Sequence, residues 1–180
     1  AAELNASQWV AHWSPDAGLS LDSDLFLRNV SMGGDAVVIR EIEGEIQGGQ
    51  DSGSAISLAA DLNVRDVAMG PAGYRAEGGE VRASLEGDEV KLVFDLERRS
   101  LPFFKGEVNG NLFRQEWSVQ RLVLAPRSDR PLVGARPVRF RLADGGIRDL
   151  DLALLGAAGA IQIQGDWLEI HSGQTRMSLE

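Results

Sequence analysis

The sequence predicts an all-β protein, an elongated antiparallel sheet with one apolar face, and three observations carry that reading. Apolar and polar residues alternate with period two in run after run, the spacing that sends successive strand side chains to opposite faces. Short Gly-, Asp- and Asn-containing segments such as Asp144-Gly145-Gly146 separate the runs, and these residues tolerate the positive φ of tight reversals. The runs also recur, with Gly79-Glu80-Val81 and Gly106-Glu107-Val108 starting 27 residues apart. A unit too small to bury its own apolar face is stabilised by stacking on neighbours, which produces a quasi-one-dimensional array.

Taken in order, residues 1–17 hold Trp9, Val10 and Trp13, a spacing that fits either one helix face or the end of a strand. From Gly18, Leu19, Leu21, Leu25 and Leu27 share one face against Ser20, Asp22, Asp24 and Arg28, with Phe26 on the wet side. Val38, Ile42 and Ile46 share a parity interrupted by Arg40, and Gly48 to Gly53 reads as a flexible turn or a disordered tip. Leu58, Ala60, Leu62 and Val64 form the next strand, closed by Gly70-Pro71-Ala72-Gly73.

The 27-residue units follow over residues 79–124. Each is a strand, a polar turn (Glu86 to Glu89, then Phe113 to Glu116) and a return strand, and Glu43-Gly44-Glu45-Ile46 is a weaker earlier copy. Parity slips between Val119 and Leu122, which predicts a β-bulge. Pro126, Pro131 and Pro137 mark a loop or edge, because proline cannot serve a central ladder. Three alternating runs close the pattern: Val138 to Leu142, Leu150 to Leu154, and Ile161 to Ile163. The expected total is about ten to twelve strands with hardly any helix.

The chain has 180 residues, a net charge of −9, 43% apolar and 25% charged residues, and no cysteine. That balance is ordinary for a globular protein, and the acidity argues against nucleic acid, whose phosphates need a clustered basic face. Lack of cysteine excludes disulfides, thiolate metal sites and cysteine nucleophiles. His12 and His171 are the only histidines, which leaves little material for a histidine metal site or a Ser-His-Asp triad. Asp51-Ser52-Gly53-Ser54 lacks a nucleophile elbow, and no acidic spacing fits a calcium loop. No enzymatic activity, metal or cofactor is expected. No run approaches the roughly 18 apolar residues of a membrane-spanning helix. The chain, residues 1–180, starts in mid-pattern and reads as one β-repeat segment of a longer protein.

Residues Ala135-Arg136-Pro137-Val138-Arg139-Phe140-Arg141-Leu142-Ala143-Asp144-Gly145-Gly146-Ile147, then Asp149 to Gly156 and Ile161-Gln162-Ile163-Gln164-Gly165, resemble the interior repeats of the TamB family within the AsmA-like superfamily. Gly106 to Leu112 with Trp117 and Leu122 is similar to the same family's Gly-x-Val-x-Gly-x-Leu and Trp pattern. The resemblance spans residues 79–170, with the family-like repeat over 135–170. It implies a curled, trough or taco-like sheet with a hydrophobic inner face. It further implies an inner-membrane-anchored protein crossing the periplasm of a bacterium with two membranes, working with an Omp85-type outer-membrane partner through other regions. The implied role is outer-membrane biogenesis, with phospholipid acyl chains carried along the groove.

On that reading the groove is lined by Leu92, Phe94, Leu96, Val119, Val138, Phe140, Leu142, Leu150, Leu152, Leu154, Ile161 and Ile163. The same residues would equally form the dry core of a closed sandwich. Two other roles fit the pattern. One is sheltering or strand-pairing of unfolded outer-membrane β-barrel proteins, and the other is a β-solenoid spacer.

Overall fold

The computed structural model describes residues 3–4, 8–14, 18–32, 37–50, 55–69, 74–99, 101–125, 130–143, 146–157, 159–167, 170–171 and 174–175. Every regular element among them is a strand. In chain order these are β1 (Glu3–Leu4), β2 (Gln8–Ser14), β3 (Gly18–Met32), β4 (Val37–Gln50), β5 (Ser57–Met69), β6 (Tyr74–Glu86), β7 (Glu89–Arg98) and β8 (Leu101–Asn111). Then come β9 (Glu116–Leu124), β10 (Leu132–Gly134), β11 (Val138–Ala143), β12 (Gly146–Gly156), β13 (Gly159–Trp167) and a detached pair, β14 (Ile170–His171) with β15 (Gln174–Thr175).

The first thirteen strands form one antiparallel sheet in which chain order and spatial order nearly coincide. Two ladder positions are occupied by broken strands. β1 and β2 both pair with β3, and β10 and β11 together fill the place between β9 and β12. The second break falls at Ala135–Pro137, so Pro137, which has no N–H to donate, stands where the ladder is already interrupted. The Ala135 N–H still reaches the Ala153 carbonyl at 2.9 Å. Apart from these two broken positions, the result is a meander in which β3 to β9, and β12 with β13, pair in chain order.

The hairpins of the repeat units turn where the sequence places them, at Gly87–Asp88 and across residues 112–115. The bulge lies between Val119 and Leu122: Arg121 has φ 52° and the β8–β9 register shifts between Lys105 and Glu107. A second bulge, at Asp149 with φ 51°, shifts β12 against β11 and β13. Residues 8–14 are a strand paired with β3, which decides between the two forms their spacing allowed.

Two expectations differ. Gly48 and Gly49 belong to β4, opposite Leu58 and Ser57, so the strand runs to Gln50 before any turn. A Cβ on Gly48 would collide with the Leu58 side chain, so glycine leaves room there for its cross-strand partner. Ile39, not Val38, is the buried residue at the start of β4, because the alternation changes phase at Arg40–Glu41.

That change of phase recurs in four adjacent strands. Leu27 and Val30 flank Arg28–Asn29 in β3, Ile39 and Ile42 flank Arg40–Glu41 in β4, Val64 and Val67 flank Arg65–Asp66 in β5, and Ala76 and Gly79 flank Glu77–Gly78 in β6. Register is kept on both sides of the step, so these are not bulges with an extra residue but one change of phase aligned across four strands, here termed the corner. Asn29 (φ 53°) and Asp66 (φ 49°) adopt the left-handed region, which Asn and Asp tolerate better than other side chains. Two consecutive residues then face the same way, and the apolar series resumes on the face it left.

Candidate functional site

Where the meander keeps register, residues of equal height form transverse rows that cross many strands. One row reads Leu25, Gly44, Leu62, Val81, Phe94, Gly106 through β3 to β8. Its neighbour reads Leu27, Ile42, Val64, Gly79, Leu96, Phe104, and continues to Leu124 and Leu132. Ser23, Ile46, Ala60, Ala83, Leu92 and Val108 make a third that ends on Val119 and Val138. The fourth is Leu21, Gly48, Leu58, Leu85, Val90 and Gly110, ending on Trp117 and Phe140. Beyond the corner, Val30, Ile39, Val67 and Ala76 start a fifth. Ser23 is the polar exception, and its hydroxyl donates to the Asp24 carbonyl at 3.2 Å.

Glycines in these rows stand opposite large side chains. Phe94 lies over Gly106, its ring 2.7 Å from where a Cβ would sit, and the Trp117 ring covers Gly110 in the same way. Phe94 stacks on Phe104 with ring centroids 4.4 Å apart, and Trp117 on Phe140 at 6.5 Å. The Trp117 indole N–H is buried without a protein acceptor, so the ring's apolar packing outweighs an unmade hydrogen bond.

Burial follows the corner. Ala76, Val67 and Val64 are 1%, 2% and 3% exposed, and Ile39, Ile42, Leu96 and Phe103 complete the same buried cluster. Toward the strand ends exposure rises: Leu19, Leu58, Tyr74 and Leu101 are open to solvent, and Ile56 is 52% exposed.

Of the sequence-predicted groove residues, Phe94, Val138 and Leu154 are buried in a second cluster, against which Leu92, Val119, Phe140, Leu150 and Leu152 pack half-buried. Leu96 belongs to the first cluster. Leu142 and Ile161 are exposed, Ile163 is half-buried, and none of the three joins either cluster. Leu142 is the last residue but one of its strand and Ile161 sits in β13, whose partner on the described sheet is β12 alone. The sequence reading missed Val67 and Ala76, which lie past the phase change, where period-two counting from the neighbouring run puts them on the wrong face, and Phe103, which is the extra residue of β8 at the register shift against β7.

The opposite face carries the charges, paired across strands and, for Arg82 with Glu80, within β6. Arg65 bridges Glu41 and Glu43 at 3.0 Å each, Arg82 bridges Asp61 at 3.1 Å and Glu80 at 2.7 Å, and Lys91 meets Glu107 at 2.9 Å. Phe26 stays on this face under the Arg28 guanidinium, 4.8 Å from the ring centroid, a cation–π contact. Such exposed pairs contribute little individually.

Three carboxylates are nevertheless held below their ordinary range. Glu107 is lowered chiefly by its hydrogen bond from Lys91, Asp151 by that from Gln164, and Asp166 by the backbone N–H of Asp149. A folded pKa below the unfolded one stabilises the fold above the unfolded value, and this is lost as pH falls through the folded value. Urea midpoints are therefore expected to hold from neutral pH to the ordinary carboxylate range near pH ~4 and to fall below it. Glu107→Gln flattens part of that fall.

No family model, curated protein or solved structure matches this chain. Among the described residues no group of three or more His, Cys, Asp or Glu side chains is placed to hold a metal ion, and no helix is long and apolar enough to cross a membrane.

Proposed function

We propose that the sheet is curled along the corner into a trough, and that its apolar face shelters the acyl chains of phospholipids. In this reading the chain is a segment of a TamB-like, inner-membrane-anchored protein that conducts lipid passively across the periplasm for outer-membrane biogenesis, with an Omp85-type partner engaged elsewhere. The observation that carries it is the set of apolar rows running without a charge across up to eight strands. Near-complete burial beside the corner and exposure toward the strand ends is the gradient a concave face would have. Ten methylenes moved from water onto such a face gain roughly 8 kcal/mol at about 0.8 kcal/mol per CH₂. The rows repeat from strand to strand, so an acyl chain meets similar surroundings at each step and can move along them without a fixed site.

A photo-crosslinking amino acid placed in turn at Lys91, Leu92 and Val93, consecutive positions of β7 that alternate between faces, tests this. Phospholipid adducts at Leu92 and not at its neighbours are the expected result. Equal labelling at all three, or none at Leu92, would remove the reading. A second reading, pairing with an unfolded outer-membrane strand, is favoured by β13, a nine-residue strand without lysine or proline beside which the described sheet places only β12. It predicts protein adducts along β13 instead.

A further inference from the structure

We propose that the β8–β9 turn, with Phe113 at its tip, is a lip through which the apolar face meets the headgroup and acyl boundary of a phospholipid surface of no net charge. This rests on the lipid-sheltering reading above and names where lipid would pass on or off that face.

Phe113 is 84% exposed, and Leu112 beside it is also open to solvent. The turn that presents them is fixed. The Arg114 N–H donates to Asn111 Oδ1 at 2.7 Å, and Gln115 adopts φ 57°. Backbone hydrogen bonds outside the ladders tie the same rim together: Gly87 N–H to the Ile56 carbonyl at 3.0 Å, Leu112 N–H to Asp88 at 2.8 Å, and Leu142 N–H to Gln115 at 2.9 Å. Four adjoining segments are thus stitched into one edge carrying exposed Ile56, Leu112, Phe113 and Leu142.

Leu142 shares its strand parity with Val138 and Phe140, so the edge is continuous with the apolar rows. Beside the tip an open cleft of about 550 Å³ is bordered by Trp117 and Phe140 and by three arginines, Arg114, Arg139 and Arg141, set against three acids, Glu89, Glu116 and Asp149. Arg114 makes no ion pair among the described residues, whereas Arg141 is paired with Asp149. A projecting aromatic group beside a cleft that offers both guanidinium donors and carboxylates fits an interface of acyl chains and zwitterionic headgroups. Asp88, Glu89 and Glu116 on the same rim, and the net charge of −9, oppose an anionic bilayer. The partner is therefore a zwitterionic surface.

Flotation of the whole chain with phosphatidylcholine vesicles tests the lip. Because Phe113 is solvent-exposed, Phe113→Asp should leave circular dichroism and urea stability unchanged while lowering vesicle binding about tenfold, with Phe113→Trp restoring it. Replacing a third of the lipid, roughly, by phosphatidylglycerol should weaken binding. The proposal is overturned if the wild type does not float, if folded Phe113→Asp floats equally well, or if anionic vesicles bind more tightly. Lipid crosslinking at Leu92 separates the two readings. Adducts there without Phe113-dependent flotation discard the lip alone, and Phe113-dependent flotation without adducts discards the sheltering face.

Discussion

Gly79→Ala is expected to destabilise the sheet by about 3 kcal/mol or more, among the largest effects of any single methyl in the chain. A Cβ at this position would run into the Asp95 carbonyl oxygen and lie 2.8 Å from the Leu96 Cα, both main-chain atoms of the next strand, and φ is +157°. Neither atom can withdraw without loosening the β6–β7 ladder. Gly44→Ala meets the Asp61 carbonyl and the Leu62 Cα at 2.9 Å in β5, and should behave alike. Gly106→Ala meets only the Phe94 ring, which can turn aside, so its cost should be about 1 kcal/mol. Urea unfolding of the three variants gives the order; equal costs would mean that ring and backbone contacts are not distinguished as described.

The second large effect concerns where a charge can be placed on the apolar face. Val67→Asp puts a carboxylate at a position 2% exposed, flanked in its row by Ile39 and Ala76. With both row neighbours apolar, the loss should exceed about 4 kcal/mol and abolish the cooperative transition. Leu58→Asp, in a row near the strand ends where solvent reaches the side chain, should cost about 1 kcal/mol and stay folded. Circular dichroism and urea titration read both. Similar losses at the two sites would mean that the face is uniformly dry, as in a closed sandwich.

Strand content, antiparallel pairing, the β6–β7 and β8–β9 hairpins and the bulge before Leu122 were legible in the sequence, because each depends on local alternation and turn chemistry. Phe26 could be placed on the charged face for the same reason. The corner was not legible. Its residues, Arg28–Asn29, Arg40–Glu41 and Arg65–Asp66, look like interruptions in separate strands, and only the register of β3 to β6 shows that they lie side by side. That alignment also explains why Ile39 rather than Val38 is buried. Nor could alternation rank the groove residues: Phe94 and Leu142 both fall on the apolar parity, yet one is beneath its neighbours and the other next to a strand end. Glycine was misread at Gly48 because its role there is to accommodate Leu58 across the strand pair, a contact set by register and not by neighbouring sequence.

The most direct test of the central claim, that the apolar face shelters lipid, is native mass spectrometry of the purified chain with extraction of bound lipid, comparing wild type with folded Leu58→Asp. Phospholipid that accompanies the wild type and is depleted in the variant is the predicted result. A wild type free of lipid, or lipid retained equally by both, would contradict it.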